Sequence, residues 1–153
     1  MPVFKIAEKL GDEKRNIIKI SLMILAKLLD ADGCSFMLKD EEKDEIEIVA
    51  AGEATADAAS KKLGIRVKAG ERIAGRCAAE QKPFLIVGDI SQNKNFTHLR
   101  KYEEISSGLS VPAIKNGKVL GVINAKKTVS KEILSQQDLE TAKTIANVMA
   151  EEL

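Results

Sequence analysis

Apolar residues return along this chain in two rhythms. From about Asp12 to Leu29 they recur every three or four positions and form two adjacent stripes. One is Ile17, Ile20, Ile24 and Leu28; the other is Ile18, Leu22, Leu25 and Leu29. This spacing predicts an amphipathic helix. One stripe suffices to pack a helix on a sheet, so the second implies burial on two sides, with the far side against a partner helix. A second helix is predicted from about Ser135 to the end. Ser135 and Asp138 fit the S-x-x-[DE] capping box, and Leu139, Ala142, Ile145, Ala146, Met149 and Leu153 give it an apolar stripe.

Between these helices the rhythm shortens to two. In "ADGCSFMLK", Cys34, Phe36 and Leu38 alternate with Ser35, Met37 and Lys39, the mark of a strand. The charged run Asp40 to Glu45 reads as a hairpin tip, and "EIEIVAA" returns with Ile46 and Ile48 on one face. Residues 52–62 are small and polar, a loop or loose helical turn, and "LGIRV" is a third short strand. A helix is expected to begin over Gly70 to Ala79, where Gly75 allows close backbone packing. Pro83 ends it, and "FLIV" follows as an apolar strand. Asp89 to Tyr102 is a long connection with helical content near "THLRKYEE". "GLSVPAI" and "KVLGVINAKK" flank Asn116-Gly117, a strong type I′ hairpin signal. Hairpins at both ends of the strand region predict an α+β fold: a central antiparallel sheet of five or six strands with helices on both faces.

The chain has 153 residues, which fits one domain, and is 44% hydrophobic and 31% charged; it should fold around a core and stay soluble. A net charge of +1 and 3% aromatic residues with no Trp argue against nucleic acid, which needs a concentrated basic face and stacking platforms. The first residues are charged throughout, unlike a signal peptide, and "SLMILAKLL" is too short to span a bilayer. Cys34 and Cys77 lack a C-x-x-C partner and read as small buried hydrophobes in a reducing cytoplasm.

Read together, I-x-V-x-x-G-E-R-I-A-G-x-x-A-x-x-x-K-P-F-L-I-x-x-D over Ile65 to Asp89, "SGLSVPAIKNGKVLGVINA", "LLDADGCSFML" and the closing helix resemble a GAF domain over nearly the whole chain. The resemblance implies a single sensory or regulatory domain over 1–153, with residues 1–13 as a lead-in and terminal helices over 14–29 and 135–153. It implies a cavity over one face of the sheet that takes a small molecule or serves no ligand. It also implies a homodimer built from the terminal helices as a four-helix bundle, and signal relay to a fused or associated output domain. It names no cofactor. The expected dimer contacts are Ile18, Leu22, Leu25, Leu29, Ala142, Ile145 and Met149. The expected ligand contacts are Ile73, Asp89, Asn95, Phe96, His98 and Tyr102, most of them in a lid over Asp89 to Tyr102.

Other chemistries have less material. Asn93, Lys94 and Phe96 resemble the Asn-Lys-Phe run of cyclic-nucleotide-binding relatives, but Asn95 splits it and Thr97 and His98 replace the acidic residues that should follow. Gly70 and Gly75 match the G-x-x-x-x-G of a phosphate loop, yet Arg76 and Cys77 stand where Lys and Ser/Thr belong. A single His, His98, gives no metal site or hydrolytic triad. Asp89 reads as a cap or turn-former rather than a catalytic carboxylate. The alternative is a stand-alone redox enzyme of the same fold, resembling the free methionine sulfoxide reductases. It would use Cys77 activated by a helix N-terminus and Arg76, with Cys34 within disulfide reach. The scaffold alternative fills the cavity with Phe36, Met37 and Phe96. Neither cysteine has the flanks expected for a bilin attachment. The ends leave open whether this is a short natural protein or part of a longer one.

Overall fold

Two pairs of consecutive strand segments fold back on each other through tight turns, at residues 41–44 and at Asn116-Gly117. The computed structural model describes residues 1–87, 105–128 and 131–153. In order they form β1 (Val3–Ile6), α1 (Asp12–Leu29), β2 (Gly33–Asp40), β3 (Glu45–Glu53), α2 (Ala56–Lys62), β4 (Arg66–Lys68), α3 (Arg72–Glu80), β5 (Phe84–Val87), β6 (Ile105–Lys115), β7 (Lys118–Thr128) and α4 (Gln136–Glu152). The β6–β7 hairpin turns at Asn116 and Gly117, whose φ values of 52° and 78° are the two positive angles a type I′ turn requires. The sheet is antiparallel, in the order β1-β3-β2-β7-β6-β5, with the short β4 sharing an edge of β3 with β1. The expected α+β fold is met: six strands form a continuous series, β4 adds a seventh among the described residues, and helices cover both faces.

Residues 1–13 carry more structure than a lead-in. β1 pairs with the end of β3, Phe4 opposite Gly52. A Cβ at position 52 would strike the Phe4 ring, so the glycine is what lets that ring lie on the strand. Four residues show too little periodicity to announce a strand; the free edge of β3 supplies it.

The core is split by the sheet. On one face α1 and α4 bury Ile18, Leu22, Leu25, Leu29, Ala142, Ala146 and Met149 against Phe36, Val49, Val111 and Ile123. On the other, α2 and α3 bury Ala59, Cys77 and Ala78 against Met37, Ile46, Ile48 and Val122. A bulge between Phe36 and Met37 resets the alternation in β3, so that Val49 and Ala50 both pack on the α1/α4 face.

This arrangement corrects the expected dimer contacts. Ile18, Leu22, Leu25 and Leu29 are at most 2% exposed, and Ala142 and Met149 at most 1%. They are used within the chain, and Ile145 is half-buried against the same core. Three members of the other stripe are exposed, Ile20 57%, Ile24 48% and Leu28 62%, while Ile17 packs partly on the core; Met23 and, on α4, Val148 are exposed as well. Both stripes are apolar, so periodicity alone did not say which one faces inward.

α4 starts as its sequence demands: Ser135 Oγ accepts from the Asp138 N–H at 3.1 Å while Asp138 accepts from the Ser135 N–H at 2.8 Å. Gly75 sits where a Cβ would collide with the Lys68 carbonyl, and its own carbonyl accepts from the Gly70 N–H at 2.8 Å. The glycine pair therefore ties the start of α3 onto the end of β4.

Candidate functional site

The α2/α3 face of the sheet carries a partly open cavity of about 100 Å³. Met37, Ile48, Val67 and Ile73 give it an apolar lining. Its floor carries one polar rung. Ser35 on β2, Asn124 on β7 and Ser110 on β6 are direct register partners across three adjacent strands. The Ser110 hydroxyl donates to Asn124 Oδ1 at 2.6 Å, and Asn124 Nδ2 donates to Ser35 Oγ at 3.1 Å. The chain of donors thus runs one way and ends on the Ser35 hydroxyl.

Two strand positions further along β7, Lys126 adds charge to the same floor. Its Nζ lies 3.0 Å from Glu53 Oε1, and Lys62 of α2 approaches the same oxygen at 3.8 Å. Glu53 is only 5% exposed, so two ammonium groups share one buried carboxylate. A Cβ on Gly33 would fall on the Glu53 carboxyl and the Lys126 stem, so that glycine makes the room they occupy. Arg72, the first residue of α3, also lines the cavity. It is half-buried, its φ is 58°, and its guanidinium donates to no partner among the described residues. A left-handed arginine at a cavity wall is an uncommon backbone state, of the kind that collects at binding sites. The α3 N-cap, Glu71, makes no side-chain cap bond.

Of the residues predicted from sequence, Ile73 is buried and lines the cavity. Asp89, Asn95, Phe96, His98 and Tyr102, and with them the expected lid, lie outside the described residues. Met37 lines the cavity as the filled-cavity alternative requires, but Phe36 does not: it packs on the opposite face under α1. The site residues that sequence reasoning missed are Ser35, Ser110, Asn124, Glu53, Lys62, Lys126 and Arg72. The available signal was the polar residue inside an otherwise apolar strand, Ser35 in "CSFML" and Asn124 in "GVINA".

The cysteines do not form a redox pair. Both are free and buried. Cys34 packs on the α1/α4 face with its Sγ 3.8 Å from the Leu22 carbonyl, and Cys77 packs on the other. Burial pushes the Cys34 thiol up to about 12, the Glu53 charge adding to it, and burial alone takes Cys77 to about 12. Arg76, expected to activate Cys77, instead pairs with Glu80 at 3.0 Å and stacks 5.0 Å from the Phe84 ring centroid. Among the described residues no cluster of His, Cys, Asp and Glu could hold a metal, and no helix is long and apolar enough to cross a membrane.

Comparison with solved structures places this architecture among known domains. The GAF domain of a phosphoenolpyruvate-protein phosphotransferase from Coxiella burnetii is 22% identical, with 93% of this chain and 83% of that one covered at a TM-score of 0.76. A GAF domain/HD domain protein from Geobacter sulfurreducens is 14% identical, with 92% and 91% covered at 0.75. Free methionine-R-sulfoxide reductase from Neisseria meningitidis, solved with its substrate, is 17% identical, with 94% and 79% covered at 0.72. At these identities the likeness is one of fold. A search of curated proteins returned no match. The GAF domain family model matches residues 14–153. This chain therefore belongs to the GAF domain family.

Proposed function

We propose that this domain is a non-enzymatic sensory or regulatory module that binds a small molecule between the sheet and α2/α3. The carrying observation is the cavity itself, apolar walls over one polar rung and a charged end. Ligand sites have this character: mostly apolar surface with a few placed polar groups. Native mass spectrometry of protein purified from cells under non-denaturing conditions tests it. A retained mass that is lost from Asn124→Leu supports the reading, and unliganded protein that also ignores a metabolite library in thermal-shift assays refutes it.

The domain works as a homodimer in this reading, but through surfaces other than those first expected. Ile20, Ile24 and Leu28 of α1 with Val148 of α4 would meet the same faces of a second chain across a two-fold axis. The cavity and this surface are joined by β7. Asn124 and Lys126 floor the cavity, and two residues on, the Thr128 N–H donates to Asp32 Oδ2 at 2.7 Å. Lys131 then bridges Asp30 and Asp32 at 3.0 and 3.1 Å, tying the end of α1 to the segment that precedes α4. A ligand that favours one placement of β7 would bias the terminal helices, and through them an output domain, by population shift. Two free buried thiols suit a reducing, cytoplasmic setting.

The redox-enzyme alternative has the fold of its relatives in its favour and the thiols against it. A catalytic cysteine is a partly exposed thiolate; Cys34 and Cys77 are buried and protonated.

A further inference from the structure

We propose that the cavity takes a small organic anion, a carboxylate head on a short apolar tail. This deepens the sensory reading of the same cavity and rests on it. The size comes first. A cavity of 150 Å³ holds benzene, so about 100 Å³ admits a tail of roughly three or four carbons. Met37, Ile48, Val67 and Ile73 supply the walls for that tail.

The head follows from the charges. Among the described lining residues Lys62 and Lys126 both meet the Glu53 carboxylate, and Arg72 is the third cationic side chain. Arg72 presents five N–H donors and spends none on the described residues. A planar guanidinium fork matches a carboxylate in bidentate fashion. The rung on the floor has the same polarity. Ser35 is 9% exposed, accepts from Asn124, and finds no acceptor for its own O–H among the described residues. Arg72, Ile73 and Ala74, the first turn of α3, line the cavity as well, and their end of the helix favours negative charge. Every free donor offered to the cavity therefore asks for an acceptor. Inorganic phosphate would meet the donors but leave the apolar volume behind them unfilled.

The test is an NMR titration of the full ¹⁵N-labelled chain with butanoate, butanamide, butylamine and inorganic phosphate. The expected result is that butanoate shifts the amides of 35, 73 and 124 and binds roughly tenfold or more tighter than butanamide, because a charge-assisted bond replaces a neutral one. Arg72→Gln, on a half-buried side chain, should keep the fold and erase that preference, and Arg72→Lys should restore part of it. Ser35→Ala should weaken butanoate roughly two- to tenfold. Equal binding of butanamide, or tighter binding of butylamine, overturns the anion inference and leaves the sensory reading standing. Phosphate binding as tightly as butanoate assigns an inorganic anion and also overturns it. If no probe binds, native mass spectrometry decides: a retained acidic molecule supports the class, a retained neutral or basic one overturns it, no retained molecule overturns this inference, and the sensory reading falls with it only if the protein also ignores the metabolite library.

Discussion

Leu25 and Leu28 lie three residues apart on α1, and the structure gives them opposite roles. Leu25 is 0% exposed and Leu28 is 62% exposed. Leu25→Ala removes buried methyl groups under α4 and leaves a hole, at a cost of about 2.7–5 kcal/mol. Leu28→Ala removes surface that the isolated chain leaves in water, so folding stability should move by less than about 0.5 kcal/mol. Its effect belongs to association. Full burial of a leucine contributes about 1.5–3 kcal/mol; the 62% still exposed corresponds to about 1–2 kcal/mol per chain. A two-fold interface contains the residue twice, so the dimer should lose about 2–4 kcal/mol, roughly one to three orders of magnitude in Kd. Urea unfolding at sub-micromolar protein measures the first quantity, and sedimentation equilibrium at tens of micromolar the second. The reasoning is refuted if Leu28→Ala leaves the association constant unchanged, or if wild type is a monomer throughout that range. A destabilised Leu28→Ala with an unaffected Leu25→Ala would mean that the helix is rotated from the orientation described.

Four further outcomes follow from local geometry. Gly33→Ala drives a Cβ into the Glu53–Lys126 pair and should cost about 1–3 kcal/mol in urea unfolding, with the tail-binding surface left in place. Ser135→Ala breaks the α4 capping box and should cost about 1 kcal/mol, read from the same experiment. At Asp32, burial raises the carboxyl pKa, but the Thr128 N–H and the Lys131 ammonium more than offset this and hold it below its ordinary 3.8. That group therefore stabilises the fold above 3.8 and loses its contribution as pH falls through the lower folded value; Asp32→Asn should flatten acid unfolding in that window. Cys34 and Cys77, protonated with pKa about 12, should resist iodoacetamide at pH 7.5 until the chain unfolds, and rapid labelling of Cys77 in folded protein would revive the redox alternative.

What the sequence disclosed and what it withheld divide along one physical line. Features whose cause lies within a few residues were legible. The α1 span emerged as Asp12–Leu29 because its apolar rhythm is unbroken and Asp30 closes it in the left-handed region at φ 51°. The Asn116-Gly117 turn and the Ser135–Asp138 box were legible because turn and cap chemistry is local. Gly75 was legible as a point of close approach, although the atom it approaches, the Lys68 carbonyl, was not. Features created by distant partners were withheld. β1 is a strand only because β3 has a free edge beside it. The inward stripe of α1 is chosen by α4 and the sheet, since the two stripes are equally apolar by composition. The candidate site is the extreme case. Ser35 and Asn124 are 89 positions apart, and Glu53 and Lys126 are 73 apart. Only the antiparallel register β2–β7–β6 makes one rung of Ser35, Asn124 and Ser110. The local trace they left is a conflict: a polar side chain on a buried face, which costs stability unless it is satisfied. Such conflicts concentrate where a fold does something besides hold itself together. On this face the rung, the shared carboxylate and the left-handed Arg72 all border one cavity. The positions that weaken the local pattern are thus the positions that define the site.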